Sequence, residues 1–410
     1  MPLYVTALIL LLLFNLSCEL HVRTGAEVLV EERLELVYGN KRVGLICNHT
    51  SLFPDGTHLA DTLLGLGVQL KALFGPEHGI RGSSGAGETV GNEVDARTKL
   101  PVYSLYGKTD RPTDEMLKRL DLLIFDIQDV GARFYTYATT MALAMEAAGR
   151  NGKSFIVLDR PNPVNGTDIE GPVLDTAYAS FVGRFPVPIR HGLTLGELAQ
   201  MIVGEGWLGE GFYVDLTVIP MDRWNRKMWY NETGLPWVPP SPNMKTESTA
   251  VVYPGTCMFE ATNVSEGRGT GKPFEYIGAP WIDGTKLSAR LESLKLIGVA
   301  FPPISFTPKP DPAAAPSPKY ANRSCGGVYV SVRDRNLFKP VQTGFMMLET
   351  IKQLYPDSLQ VRNEMMNRLT GTTAVKTALA KGMPMIDVLK GSEEALAGFR
   401  QHREKYLLYE

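Results

Sequence analysis

From about residue 25 to 235 the chain alternates short apolar runs with stretches of helical periodicity. The apolar runs are 42–47 (RVGLIC), 69–74 (QLKALF), 122–127 (LLIFDI), 154–158 (SFIVL) and 214–219 (VDLTVI). Their length is that of a strand, and their near-continuous apolar character predicts strands buried on both faces. Between them, 138–148 (ATTMALAMEAA) and 194–203 (TLGELAQMIV) repeat apolar residues at helical spacing, and Thr194 with Glu197 predicts a capping box at the start of the second. Buried strands alternating with helices predict βαβ units. The fold class is therefore α/β, a Rossmann-like domain over 25–240 built on a mostly parallel sheet.

The pattern breaks at 236–243 (PWVPPSPN), where four prolines predict a domain crossing. Beyond it the chain is less regular, and 241–410 reads as a smaller α+β domain. Residues 301–319 carry seven prolines, which excludes a packed helix there. A strand at 327–332 (GVYVSV) and helices near 342–354, 359–368 and 384–400 follow. No internal repeat is visible.

Composition narrows the class. With 410 residues, 44% hydrophobic and 21% charged, the chain is globular and long enough for two domains. A net charge of −2 without any single-sign block gives no pull toward nucleic acid. Residues 1–18 (MPLYVTALILLLLFNLSC) are apolar but too short for a comfortable membrane span, and polar sequence follows. They predict an export signal and hence a periplasmic, extracellular or lipid-anchored protein, with Cys18, in a loose lipobox, as the one expected membrane attachment. The other cysteines, Cys47, Cys257 and Cys325, form neither a disulfide framework nor a CxxC zinc spacing, and are expected to be buried as small hydrophobes.

In open parallel sheets ligands bind beyond the carboxyl ends of the strands, so the residues after each run are informative. The first run leads into Asn48-His49-Thr50-Ser51, and the second into GPEHGIRG with Glu77 and His78 side by side. The third leads through Asp126 into QDVGARFYTY, with Asp129, Arg133, Tyr135 and Tyr137; the fourth into DRPNPVNG, with Arg160 and Asn162, and further on Glu170. Four strand ends rich in carboxylates, amides and aromatics predict one site. Glu77, flanked by glycines at a partly desolvated rim, is a candidate general acid and His78 its partner or a separate base. Asp126 and Glu170 are further catalytic candidates, because paired carboxylates are the usual apparatus of glycoside hydrolysis. HExxH, GxxxxGK[ST] and GxSxG patterns are missing, and the glycine-containing run 81–87 (RGSSGAG) is not a GxGxxG loop, so neither a metal nor a cofactor is expected.

Taken together, FGPEHGIRG, GAGETV, LPVYSLYG, DIQDVGARFYTY, LDRPNPVNG, IEGPVLD, PIRHGLTLGELA, PPSPN, YPGT and EGRGTGKPFEYIGAPW resemble the bacterial exo-β-N-acetylmuramidase family, long catalogued as a domain of unknown function. The resemblance implies a Rossmann-like domain joined to a smaller one, with the active site in the cleft between them. It implies release of terminal non-reducing N-acetylmuramic acid from peptidoglycan fragments, and it makes Glu77 the leading catalytic residue. That sugar carries a lactyl carboxylate, for which Arg133, Arg160, Arg190 and Arg268 are candidate cations. Asn48, Asp129, Tyr135, Tyr137, Asn162, His191 and Trp281 complete the expected substrate contacts. A non-catalytic muropeptide-binding lipoprotein and another amino-sugar hydrolase are the competing readings, separated by turnover of muramide against glucosaminide.

Overall fold

The computed structural model describes residues 21–77, 79–81, 93–107, 109–209 and 213–410. Residues 1–18 with Cys18, His78 and the GAGETV segment lie outside them.

The strands are β1 (Val43–Cys47), β2 (Leu70–Gly75), β3 (Glu93–Val94), β4 (Pro101–Ser104), β5 (Leu122–Asp126), β6 (Ser154–Leu158), β7 (Glu170–Val173), β8 (Pro188–Arg190) and β9 (Leu216–Ile219). Seven of them form one sheet in the order β3-β4-β2-β1-β5-β6-β9, parallel except for the edge strand β3. The chain runs from β1 outward to β2 and β4, then returns to β5 on the opposite side of β1. That reversal opens a crevice at the carboxyl ends of β1 and β5, where doubly wound sheets bind ligands.

Side chains along each strand alternate between two cores. Leu45 of β1, Ile124 of β5 and Ile156 of β6 pack with the helix Gly25–Glu32. Ile46, Phe125 and Phe155 face the other way, into a larger cluster shared with the helix Tyr137–Arg150. Burial on both faces is why these runs read as continuously apolar. The helix Leu195–Gly204 starts as expected: the Glu197 amide donates to Thr194 Oγ1 at 3.2 Å and the Thr194 amide to Glu197 Oε2 at 3.0 Å.

The second half adds β10 (Tyr276–Ala279), β11 (Val299–Ala300), β12 (Pro303–Phe306), β13 (Cys325–Tyr329) and β14 (Ser331–Val332). β10, β13 and β12 form an antiparallel sheet, covered by the helix Gly284–Glu292, against which the helix Pro340–Leu354 packs. The helix expected over 384–400 is two, Met385–Lys390 and Glu393–Arg403, interrupted at Gly391-Ser392. The helix Glu247–Thr256 escaped the pattern because its YPG triplet contains Pro254. Phe274, Val328 and Phe345 belong to the same apolar cluster as Phe125, so one core runs through both halves. Cys47, Cys257 and Cys325 are buried and free, and among the described residues no helix is long and apolar enough to cross a membrane.

Candidate active site

A cavity of about 280 Å³ lies where the loops after β2 and β5 meet the segment 241–274. Glu77, in the turn after β2, is half-buried on its wall. The Tyr106 hydroxyl shares a hydrogen bond with Glu77, and burial followed by the Glu77 charge raises the Tyr106 phenol above its ordinary pKa.

The aromatic wall is a chain of edge contacts. Tyr137 meets Tyr135 at 5.0 Å between ring centroids, Tyr135 meets Tyr253 at 5.9 Å, and Tyr253 meets Phe274 at 4.8 Å. The Arg268 guanidinium carbon stands 5.0 Å from the Phe274 ring centroid. Arg268 grips Glu260 through Nε at 3.1 Å and Nη2 at 2.6 Å, both to Oε1. Burial opposes the charge on Arg268, but Glu260 and Glu266 outweigh it and raise its pKa. Glu266 is held by Lys319, whose Nζ lies 2.8 Å from Oε2. The cavity therefore carries two carboxylates, Glu77 and Glu260, one guanidinium and a wall of rings with hydroxyls.

The loop that presents the tyrosines is shaped by Gly131, which adopts φ +76°; a Cβ there would stand 2.2 Å from Asn162 Oδ1. Asp129 fixes the same turn, its Oδ2 accepting from the Gly131 amide at 2.8 Å, while its buried Oδ1 has no hydrogen-bond partner in the structure. Burial pushes the Asp129 carboxyl up to about 7, and its charge bears on both the Tyr135 and Tyr137 phenols. The Tyr137 hydroxyl donates to the Pro240 carbonyl at 2.7 Å, which ties this wall to the proline-rich segment 236–243.

Of the residues expected from sequence, Glu77, Tyr135, Tyr137 and Arg268 line the cavity. His78 lies outside the described residues. Asp126, at the end of β5, does not reach the cavity wall: it is buried in an ion pair with Arg160, Nε to Oδ1 at 2.5 Å and Nη2 to Oδ2 at 2.9 Å. Glu170 is elsewhere too. Its Oε1 accepts from the Gln342 amide at 2.7 Å, in the first turn of the helix Pro340–Leu354, and burial raises its pKa.

The remaining residues tie loops together. Arg133 donates to the carbonyls of Pro172, Val187 and Leu369, each at 2.8 Å, and burial lowers its pKa to about 9. Buried Arg190 donates to the Val164 carbonyl, pairs with Asp168 at 3.1 Å and covers the Trp229 ring at 5.5 Å. His191 Nδ1 accepts from the Leu193 amide at 3.1 Å, and burial depresses its pKa to about 3. Asn162 Nδ2 donates to the Leu193 carbonyl at 2.9 Å, and Asn48 Oδ1 accepts from the Thr50 amide at 2.8 Å. Trp281 Nε1 donates to the Tyr320 hydroxyl at 3.1 Å, and its ring meets Tyr355 at 5.5 Å, away from the cavity.

Sequence reasoning missed Tyr106, Ser241, Asn243, Tyr253, Glu260 and Phe274. Tyr106, Asn243 and Tyr253 sit in LPVYSLYG, PPSPN and YPGT, motifs without an obvious chemical residue. Glu260, in CMFEATN, carries no local signal at all. Among the described residues no group of three His, Cys, Asp or Glu side chains is gathered to hold a metal ion.

A doubly wound sheet whose strand ends present two carboxylates in a cavity walled by tyrosines has the parts of a glycoside hydrolase site, and similarity to known proteins places the chain in that class. The chain belongs to the exo-β-N-acetylmuramidase NamZ family: the N-terminal model of that family matches residues 43–248 and the C-terminal model residues 251–409. It is 46% identical over 390 residues to a peptidoglycan β-N-acetylmuramidase NamZ of Bacillus subtilis (strain 168), a match covering 95% of this chain and 91% of that one. Among solved structures it is similar to two DUF1343 family proteins of Bacteroides fragilis NCTC 9343. One is 38% identical at a TM-score of 0.88, covering 96% of this chain and 100% of that one. The other is 33% identical at 0.77, covering 95% and 99%.

Proposed function

We propose that this chain is an exo-β-N-acetylmuramidase that releases N-acetylmuramic acid from the non-reducing end of peptidoglycan fragments, with Glu77 as the general acid. The observation that carries the proposal is the cavity itself: about 280 Å³, with Glu77 and Glu260 on its wall and Arg268 beside them. A space of that size suits one sugar ring, in keeping with an exo mode. The aromatic wall offers apolar faces to the ring, and Arg268 offers a cation to the lactyl carboxylate.

In the proposed reaction Glu77 gives its proton to the glycosidic oxygen as the C–O bond breaks. Glu260 serves the other side of the exchange, as the base that takes a proton from the attacking water or as the nucleophile that water later displaces. Either way one water is consumed, its hydroxyl going to the anomeric carbon and its proton returning to the carboxylates. Proton NMR of the first anomer released separates the two routes.

The direct test is p-nitrophenol release from the β-N-acetylmuramide and from the β-N-acetylglucosaminide. The wild type is expected to hydrolyse the muramide alone. Because p-nitrophenolate departs without protonation, the acid itself is tested on the N-acetylmuramyl-N-acetylglucosamine disaccharide, whose cleavage is expected to fall by about 10²–10⁴-fold in Glu77→Gln. Full activity in that variant would move the acid elsewhere, and no turnover of either sugar by folded protein would favour a muropeptide-binding role.

Export to the bacterial envelope is proposed on the apolar leader at 1–18. Fractionation of cells expressing the full chain tests it, with Cys18→Ala expected to release any membrane-bound fraction.

A further inference from the structure

A second cavity, of about 520 Å³, opens beside the first. Phe181 lines both, and the loop between β7 and β8 supplies the partition: Val182 faces the first cavity while Ser180, Arg184 and Phe185 face the second. Glu77 stands toward this partition. Its hydrogen-bond partner Tyr106 has its ring 6.4 Å from that of Phe181, and Asp110, a few residues on, lines the second cavity. Glu260, Arg268 and Phe274 line only the first.

The second cavity has the makings of a sugar subsite. Phe185 and Trp207 stack with centroids 5.5 Å apart and 13° between their planes, so that half-buried Trp207, backed by the buried Phe185 ring, offers flat apolar surface of the kind that packs on a pyranose ring. Polar groups surround it. Ser180 Oγ is buried without a hydrogen-bond partner in the structure, and Arg184 reaches the cavity while paired with Glu146, which also receives Arg111 at 3.0 Å. Its volume lies in the range of small-molecule sites.

We propose that this second cavity binds the N-acetylhexosamine on the leaving side of the scissile bond. The inference rests on Glu77 being the acid: a group that protonates the leaving oxygen must stand between the ring that is cleaved and the ring that departs. Glu77, Tyr106 and Phe181 form that boundary. Recognition of the leaving sugar then comes from the first half of the chain and recognition of the muramic acid from both halves.

Two blocking variants test this, Ala179→Arg and Thr176→Trp, each at an exposed position on the rim of the second cavity and off the first. With melting temperature as the folding control, kcat/KM is compared for the N-acetylmuramyl-N-acetylglucosamine disaccharide and the p-nitrophenyl muramide. The ratio of disaccharide to nitrophenyl kcat/KM is expected to fall at least about tenfold in both variants. Ligand-observed NMR is expected to show free N-acetylglucosamine binding the wild type and not the variants. An unchanged ratio, or N-acetylglucosamine binding that survives both blocks, would overturn the subsite. Failure of the wild type to cleave any muramide would instead overturn the hydrolase reading, and the N-acetylglucosamine arm would still decide whether the cavity takes that sugar.

Discussion

Arg160 clamps Asp126 in a two-pronged ion pair inside the protein, with Nε 2.5 Å from Oδ1 and Nη2 2.9 Å from Oδ2, both residues buried. The pair ties the end of β5 to the loop after β6, and neither residue lines the cavity. Removing one partner of a buried pair leaves the other charge uncompensated, at a cost of about 3–5 kcal/mol. Asp126→Asn and Arg160→Met are therefore expected to lower the denaturant midpoint strongly while moving KM for the muramide by less than about threefold. A large KM change without loss of stability would return Asp126 to the substrate.

Arg268 is the one of the four arginines singled out from sequence that lines the cavity. A charge-assisted hydrogen bond contributes about 1.5–3 kcal/mol, or roughly 10–150-fold in affinity. Arg268→Gln is expected to weaken binding of N-acetylmuramic acid by that factor and to leave binding of N-acetylglucosamine, which lacks the lactyl carboxylate, close to wild type. Calorimetric titration of the two sugars checks this. Equal losses for both would show that Arg268 shapes the wall through Glu260 rather than reading the carboxylate.

Gly131→Ala combines a left-handed backbone with a Cβ 2.2 Å from Asn162 Oδ1. The conformational cost alone is about 1–2 kcal/mol, and the clash adds to it. The expected outcome is a lower melting temperature together with reduced activity, because the displaced turn carries Tyr135 and Tyr137. An unaltered melt would mean that the turn relaxes without cost.

Two buried groups set opposite pH trends. His191 titrates near 3 in the folded protein against about 6.5 unfolded, so the unfolded chain binds the extra proton between those values. Its contribution to stability is therefore lost as pH falls from about 6.5, at up to about 1.4 kcal/mol per pH unit. Asp129 titrates near 7 against about 4 unfolded, so here the folded protein binds the extra proton, and stability is lost as pH rises from about 4 to about 7. Between about pH 4 and 6.5 the two trends oppose each other, so relative to the wild type the urea midpoint is expected to fall more steeply with rising pH in His191→Gln and to rise with pH in Asp129→Asn. Identical pH profiles for wild type and variants would contradict both assignments.

The sheet was legible because its signal is local. β6 is the run 154–158 residue for residue, and β1, β2, β5 and β9 differ from their runs only at the ends. Strands buried on both faces must be apolar at nearly every position, and the capping box at Thr194 needs only residues three apart. β4, β7 and β8 were not legible: they are short, and their polar and proline residues look like loop.

Within the site, the sequence by itself determined that the strand ends carry the chemistry, because a parallel sheet delivers every βα loop to one rim. It did not decide which polar groups face the ligand. Asp126, Arg133 and Arg160 share that rim with Glu77, yet each turns inward, Asp126 and Arg160 to one another and Arg133 to buried carbonyls. An unpaired buried charge costs more than a solvent-facing one returns, and whether a partner lies within reach is a long-range property. The cavity's other wall, Glu260 with Arg268 and Phe274, reaches Glu77 only because one apolar core joins the two halves. That proximity arises from packing between residues far apart in the chain, so only the tertiary structure decided it.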